Sequence, residues 1–400
     1  MSEPVAARRS GLIRAAGDDA HRVTFFELFF DLVYVFAITQ LSHGLLEHLD
    51  LRGLAETVVL LLAVWWAWVY TTWATNWLNP DSTACRLMLI GVMGAGLVMA
   101  TSIPDAFGDG GLTFAVAYAA IQVGRSSFIL WAMRDDPVRR ANFQRILVWN
   151  AAASVLWVAG GIASGPARDI AWIAALVIDY AGPAIRYVVP GLGRASTAEW
   201  TVSASYFSER FKLFVILALG ESIIVIGATF SQLEPDFATV AAFASAFAGS
   251  VALWWIYFHH SADATEEAMG RSGDRGRIAR SAYTYSHLPL VAGIIVTAVG
   301  DELVIGHPIG QADVATIATV LGGPALFLAG HAVFRYTVFG VRSGSRLVAI
   351  ALLAGLVPVA FGLSPLVIGL AATLVVAGVA VHESVFHPAT TAEGISVERA

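Results

Sequence analysis

Apolar stretches about 20 residues long, separated by short polar segments, recur along this chain. A helix of about 20 mostly apolar residues is long enough to cross a bilayer hydrocarbon core about 30 Å thick. Hydrophobic residues make up 57% of the chain and charged residues only 14%, which is more apolar surface than a soluble core can hide. The sequence therefore predicts an all-α fold, a polytopic integral membrane helix bundle.

Twelve stretches fit transmembrane helices, and we expect about twelve spans. They are Thr24–Glu47, Leu54–Trp77, Ala84–Ile103, Gly111–Met133, Phe143–Ala163, Ile170–Val189, Tyr206–Phe230, Phe237–His260, Ile278–Gly300, Val314–Thr337, Leu347–Leu363 and Pro365–His382. The last two are short and are separated only by Gly362–Pro365. They either cross fully or form a tight hairpin.

The positions of lysine and arginine predict the orientation. Nearly all of these residues fall in segments on the same side of the membrane as the N-terminal tail. By the positive-inside rule, we expect both termini to be cytoplasmic. We also expect the protein to reside in the plasma (inner) membrane. The arginine-bearing tail resembles the start of a signal peptide. However, the next stretch contains Glu27 and Asp31 and lacks a small-residue cleavage site, so we interpret it as a retained first helix.

Six spans in each half suggest an internal duplication. At a constant offset, Arg22 corresponds to Lys212 and Asp31 to Glu221. Two six-helix halves of this kind would be parallel repeats. The alternative is chance similarity between apolar helices, which would produce the same few matches. The expected segments are a cytoplasmic tail, a first membrane half, a cytoplasmic connector, a second membrane half and a polar tail, at residues 1–23, 24–190, 191–204, 205–382 and 383–400.

Ionisable residues inside the predicted spans are the candidate functional residues, because a charge near the bilayer centre costs about 2.5–3.5 kcal/mol on insertion scales. Glu27 and Asp31 are four residues apart and so share one face of the first helix. Glu221 follows a mainly aliphatic run in the seventh helix and is the strongest single candidate. The alternative is structural: an arginine holds Asp31, and Glu221 forms an interhelical hydrogen bond.

Four further charged residues complete the candidate set. Arg125 lies well inside the fourth span and is the natural counter-ion for one of the acids. Asp179 precedes a proline, Pro183, in the sixth span, and broken helices recur at transporter binding sites. Glu209 and Arg210 begin the seventh helix, where we expect a cytoplasmic lip from which long side chains reach the interface.

Several other kinds of site are not expected. The net charge of −6 and the lack of a basic block exclude a nucleic-acid partner. The chain has one cysteine, Cys85, and the histidines His382 and His387 are spaced so that they point apart on a helix. No P-loop, nucleophile elbow or dinucleotide fingerprint is found. The sequence predicts no cofactor, no metal and no catalytic residue.

Two segments resemble a known family. Glu27–Ala37, preceded by Val23-Thr24, is similar to the opening signature of the bacterial low temperature requirement A family, and Glu209–Ile223 is similar to its second hallmark. The resemblance implies a multi-pass membrane protein of a family named for a requirement in cold growth, and this name implies no mechanism. It marks Glu27, Asp31, Glu209, Arg210 and Glu221. Tyr206 stands where the family often has histidine, which argues against a proton relay through that position.

The leading functional hypothesis is an ion- or proton-coupled transporter or channel. Asp31 and Glu221 would bind a cation or exchange protons, with Arg125 as a switching counter-ion. One alternative is a non-catalytic membrane component in cold or envelope adaptation or signalling, in which the ionic groups only lock helices together. A second alternative is an intramembrane enzyme. The expected partners are the lipid bilayer and a small ion or substrate of unspecified identity, and a homo-oligomer is compatible with the sequence.

Overall fold

The structure, a computed structural model, describes residues 11–14, 22–196, 202–271 and 275–386. Its described residues contain twelve helices of at least 17 residues and no β-strand. The helices are α1 (Phe25–Glu47), α2 (Leu51–Trp77), α3 (Thr83–Thr101), α4 (Gly111–Ala132), α5 (Pro137–Ile162), α6 (Pro166–Ala184), α7 (Ala204–Ser231), α8 (Phe237–Arg271), α9 (His287–Gly306), α10 (Val314–Phe339), α11 (Gly344–Ala360) and α12 (Pro365–Phe386). The predicted all-α class is confirmed.

Ten of these helices are long and apolar enough to cross a membrane. The two exceptions are α6, which carries Arg168, Asp169 and Asp179, and α11, which is shorter. The prediction of about twelve spans is therefore supported for ten. The orientation of the chain and its internal duplication stay predictions.

Several helix ends differ from the sequence-based bounds. Helix α6 ends at Ala184 because Arg186 and Tyr187, just beyond it, adopt positive φ angles of 61° and 47°. A short helical turn and a π-helical segment, Ala279–Tyr285, precede α9. Helix α12 continues to Phe386, so the first residues of the predicted polar tail are helical, whereas residues 387–400 lie outside the described residues.

Polar side chains at the helix starts explain where several helices begin. Thr24 and Glu27 form a capping box at the start of α1, in which each side chain bonds the backbone of the other. Asp50, Ser82 and Asp313 accept hydrogen bonds from first-turn amides of α2, α3 and α10. These bonds satisfy amides that have no partner inside the helix.

The chain divides into two compact units. The first contains α1–α6 and the first turns of α7 as far as Arg210, with a short stretch at residues 274–277. Within it α4 packs on α3 and α5, α5 packs on α6, and α1 packs on α2 and α3. The second contains α7 from Phe211 onward and α8–α12, with α9 packed on α10 and α8 on α12.

Glycines bring the backbones of α9 and α10 together in the second unit. A Cβ atom at Gly323 would lie 2.5 Å from the backbone nitrogen of Thr297, and one at Gly293 would lie 2.4 Å from that of Phe327. Small residues of this kind permit close helix contact in membrane proteins. A Cβ atom at the preceding glycine of α10, Gly322, would meet no neighbouring atom within 4 Å.

This contrast predicts opposite effects for two neighbouring substitutions. Gly323→Ala forces the two backbones apart and should destabilise the protein by about 1–3 kcal/mol. Gly322→Ala should be neutral or slightly stabilising, because alanine favours helix and meets no neighbour. Thermal unfolding of the purified variants in detergent measures both effects. Equal midpoints would show that α9 and α10 do not approach this closely.

Candidate functional site

A buried ion pair joins α1 to the start of α7 within the first unit. The two guanidinium nitrogens of Arg210 lie 2.8 and 2.7 Å from the two carboxylate oxygens of Asp31. The indole nitrogen of Trp68, on α2, donates to the same carboxylate at 2.8 Å. Both charged side chains are fully buried. A bidentate pair with an added donor is the geometry that compensates best for removing two charges from water.

One expectation about this pair was wrong. Arg210 does not lie at a lip from which its side chain reaches the interface, because that side chain is 1% exposed and turns inward to Asp31. The structural alternative, in which an arginine holds Asp31, is confirmed, and that arginine is Arg210. Arg125, expected to be the counter-ion of one of the acids, forms no ion pair with a carboxylate of the described residues. Glu209, the neighbour of Arg210, is half-buried and accepts a hydrogen bond from the backbone of Val23 at 3.0 Å.

Glu27, one turn before Asp31, is held by four groups. Its carboxylate accepts from the backbone amide and hydroxyl of Thr24, each at 2.9 Å, and from the Tyr206 hydroxyl. Arg14 forms an ion pair with it at 3.5 Å and also lies over the Tyr206 ring. Thr75, on α2, lies 2.6 Å from the Tyr206 hydroxyl. These contacts anchor the start of α1 and occupy both carboxylate oxygens.

Arg125, on α4, is fully buried, and its hydrogen-bond partners among the described residues are neutral. One guanidinium nitrogen donates to the Ala67 carbonyl and the Thr71 hydroxyl, both at 3.2 Å, and another donates to the side-chain oxygen of Gln122. The guanidinium carbon lies 5.2 Å from the centre of the Tyr70 ring. No carboxylate of the described residues forms an ion pair with Arg125, so its charge is solvated only by dipoles and a ring face.

Asp179, on α6, ends a chain of hydrogen bonds that begins at Arg125. Its Oδ2 atom accepts from the Tyr118 hydroxyl at 2.8 Å and from the Trp157 indole at 3.1 Å. The side-chain nitrogen of Gln122 donates to the Tyr118 hydroxyl at 2.8 Å. The other carboxylate oxygen, Oδ1, is buried and has no hydrogen-bond partner among the described residues. An unpartnered buried oxygen is costly unless something else binds it.

One face of α2 carries the side chains that contact these groups. Thr57, Trp68, Thr71 and Thr75 are spaced along α2 by intervals that keep them on one stripe of a helix. Trp68 binds Asp31, Thr71 binds Arg125 and Thr75 lies beside Tyr206. The tryptophans of α2 were expected to serve packing, and Trp68 has the additional role of hydrogen-bond donor.

The same stripe ends at a cavity of about 220 Å³ in the first unit. Its polar lining comes from Gln40 and His48 near the end of α1, Glu56 and Thr57 near the start of α2, and Asp105 after α3. A cavity of this size with several polar groups can admit hydrated ions or a small polar molecule.

Glu221 belongs to the second unit. Its side chain is buried and makes no hydrogen bond or ion pair with a described residue. Its predicted pairing with Asp31 at one cation site stays a prediction. The second unit has its own buried pair, in which Arg346 binds both carboxylate oxygens of Glu383 and donates to the ring of His331 at 3.1 Å.

Sequence reasoning missed the neutral members of the network. Tyr118 and Gln122 are four apart on α4 and Trp157 lies on α5, positions at which a polar side chain in an apolar helix is ordinary. The helical spacing of Gln122 and Arg125 was the one available signal. Within the described part of the chain, no group of three histidine, cysteine or acidic side chains could hold a metal ion.

The Asp31–Arg210 pair predicts a large loss of stability on single substitution. Arg210→Met leaves a buried carboxylate uncompensated and should cost about 3–5 kcal/mol in unfolding free energy. Adding Asp31→Asn should recover part of that loss, since the unpaired charge is then gone. The control is Arg52→Met, whose side chain is 58% exposed in its pair with Glu56 and should matter by less than about 1 kcal/mol. Unfolding of the three purified variants in mixed micelles measures these effects. A double variant no more stable than Arg210→Met would show that the Asp31–Arg210 pair does not stabilise the packing of these helices.

Comparison with known proteins identifies the family. The family model described as bacterial low temperature requirement A protein matches residues 22–381. An uncharacterized protein of Rhizobium meliloti (strain 1021) is 41% identical over 331 residues, which cover 82% of this chain and 80% of the relative. No solved structure matches. The match extends from the start of α1 almost to the end of α12, so the chain belongs to the bacterial low temperature requirement A family of multi-pass membrane proteins.

Proposed function

We propose that this protein is an ion- or proton-coupled transporter or channel, and that Arg125 and Asp179 are the charged residues that act in transport. The observation that carries the proposal is that these two buried, opposite charges are joined through Gln122 and Tyr118 rather than paired directly. A protein that needed them only for packing would gain more from direct contact. Ionisable groups kept incompletely neutralised inside a membrane domain are typical of ion and proton pathways.

The unpartnered Oδ1 atom of Asp179 is the proposed binding point. A proton or cation that binds there withdraws negative charge from the carboxylate, which weakens the hydrogen bond from Tyr118 to Oδ2. Tyr118 accepts from Gln122, and Gln122 also accepts from Arg125, so the change is transmitted along three contacts to the guanidinium. Arg125 keeps its positive charge and acts as the counter-charge when Asp179 is empty.

The stripe on α2 supports a route to these groups. It begins at the cavity, at Thr57 and Leu60, and reaches Thr71 beside Arg125. The position between them, Val64, is apolar and buried, so the proposed route needs this segment of α2 to open. Tyr180, next to Asp179 on α6, donates to the Leu62 carbonyl of α2 at 3.0 Å, so α6 is fixed against the same helix. We place the entrance at the cavity and the binding step deeper along α2.

Asp31 and Arg210 have a different role in this proposal. Their charges are matched and both carboxylate oxygens are occupied, so the pair fixes α1 against α2 and the start of α7. The same kind of contact, Arg346 with Glu383, favours the second candidate function: a non-catalytic membrane component whose ionic groups only lock helices. The two functions differ in what Asp179 does.

Flux through proteoliposomes separates the two functions. Vesicles that contain the purified protein and an internal pH dye are placed in proton gradients with Na⁺ or K⁺ inside and outside. We expect protein-dependent proton movement that falls at least tenfold in Asp179→Asn, because the neutral amide cannot take up a proton or cation. The thermal midpoint in detergent should stay near that of the unmodified protein.

The matched control is Asp169→Asn on the same helix, α6. Asp169 pairs with the exposed Arg52 at 3.2 Å and lies outside the network, so its variant should keep full flux. Absence of protein-dependent flux in every gradient, or unchanged flux in Asp179→Asn, would reject transport through this site. A lowered midpoint in Asp179→Asn with no flux in the unmodified protein would favour the locking function.

A further inference from the structure

A small cavity in the second unit is lined by residues of α8, α9, α10 and α12. Its volume is about 20 Å³, enough for one water molecule or one small ion. Asp301 and Thr297 line it from α9, Val320 and Pro324 from α10, and Thr373 from α12.

Asp301 supplies an acidic group that has no partner. Its Oδ2 atom is buried without a hydrogen bond, and the side chain makes no hydrogen bond or ion pair with a described residue. None of the residues that line the cavity is basic. A buried carboxylate oxygen left in this state carries a large desolvation cost, which a bound cation would remove.

Pro324 interrupts the hydrogen-bond ladder of α10 beside the same cavity. Proline has no amide hydrogen, so inside a helix it leaves the carbonyl four residues earlier without its usual partner. Pro324 lies inside α10, and the carbonyl that it leaves free belongs to Val320, which also lines the cavity. The hydrogen bond that α10 lacks therefore leaves an acceptor, the Val320 carbonyl, at a residue that lines the cavity.

The hydroxyl groups that line the cavity already donate hydrogen bonds to backbone carbonyls. Thr297 donates to the Gly293 carbonyl at 2.7 Å. Thr373 donates to the Ser245 carbonyl at 3.2 Å and accepts from the Ser245 hydroxyl at 3.2 Å, which leaves it one lone pair. A hydroxyl whose hydrogen is used elsewhere keeps lone pairs with which to accept. The cavity thus offers a carboxylate, hydroxyl oxygens and a carbonyl, all acceptors, which is the ligand set preferred by hard cations.

We infer that the second unit binds one small monovalent cation, of the size and charge of Na⁺, in this cavity. Asp301 supplies the charged ligand, and one negative charge balances one positive charge. Thr297, Thr373 and the Val320 carbonyl supply neutral ligands. Gly249 on α8, where a Cβ would lie 3.3 Å from the Thr373 hydroxyl, keeps the space open. This cation site is separate from the proposed transport route in the first unit and does not depend on it.

Equilibrium binding of radioactive Na⁺ to the purified full-length protein in detergent tests the site. The unmodified protein should bind Na⁺ saturably, and excess K⁺ or choline should compete poorly. Asp301→Asn should weaken binding at least tenfold, because it removes the charge at constant shape. The matched control, Glu302→Gln, changes the neighbouring acid, which does not line the cavity, and should bind like the unmodified protein.

Thr373→Val provides a second variant that removes one oxygen and keeps the shape, so it decides the matter if Asp301→Asn does not fold. It should weaken Na⁺ binding severalfold. No saturable Na⁺ binding, equal binding in the variants and the unmodified protein, or equal competition by choline would overturn the inference and leave a water-filled or protonated site. These results are independent of flux in Asp179→Asn, so failure of this site and failure of the transport route are distinguishable.

Discussion

Holding charge away from water is costly, and the packing of this protein is organised around that cost. Each buried charged group is compensated for this cost in a different way. Asp31 and Arg210 meet it by direct bidentate contact, with Trp68 as an added donor. Arg168, at the start of α6, meets it by donating to four backbone carbonyls at the ends of neighbouring segments. Contacts of these kinds match each charge with a partner and fix helices in place, although the Nε atom of Arg210 has no hydrogen-bond partner among the described residues.

The incompletely compensated groups have a different meaning. Among the described residues, Arg125 has only neutral partners, and one buried oxygen each of Asp179 and Asp301 has no hydrogen-bond partner. Folding would favour pairing or replacing such groups, so their presence is most simply explained by a ligand that binds them during function. In the first unit Arg125 contacts α2, close to Trp68 of the compensated pair, whereas Asp179 is bound by side chains of α4 and α5. The Asp31–Arg210 pair therefore holds in place the helix along which we propose the route.

Apolar length and helical spacing were enough to predict the helices from the sequence, but not the directions of their side chains. Glu27 and Asp31 share a face of α1 as expected, yet residues at a helix start can point outward or inward, so Arg210 was wrongly assigned to a lip. Asp301 was missed because the predicted ninth span ended at Gly300, whereas α9 continues to Gly306. The spacing of Thr297 and Asp301, one helical turn apart, was the overlooked signal.

The most direct test of this account measures how far water reaches along α2. Single cysteines at Thr57, Thr71 and Val58 would be placed in a Cys85→Ala background, in which no other cysteine remains, and exposed to a membrane-impermeant thiol reagent in vesicles. We expect modification at Thr57 and, under an ion gradient, at the deeper Thr71, while Val58 on the neighbouring face stays protected. Modification at Thr57 alone, with Thr71 protected in every gradient, would contradict a hydrophilic route to Arg125.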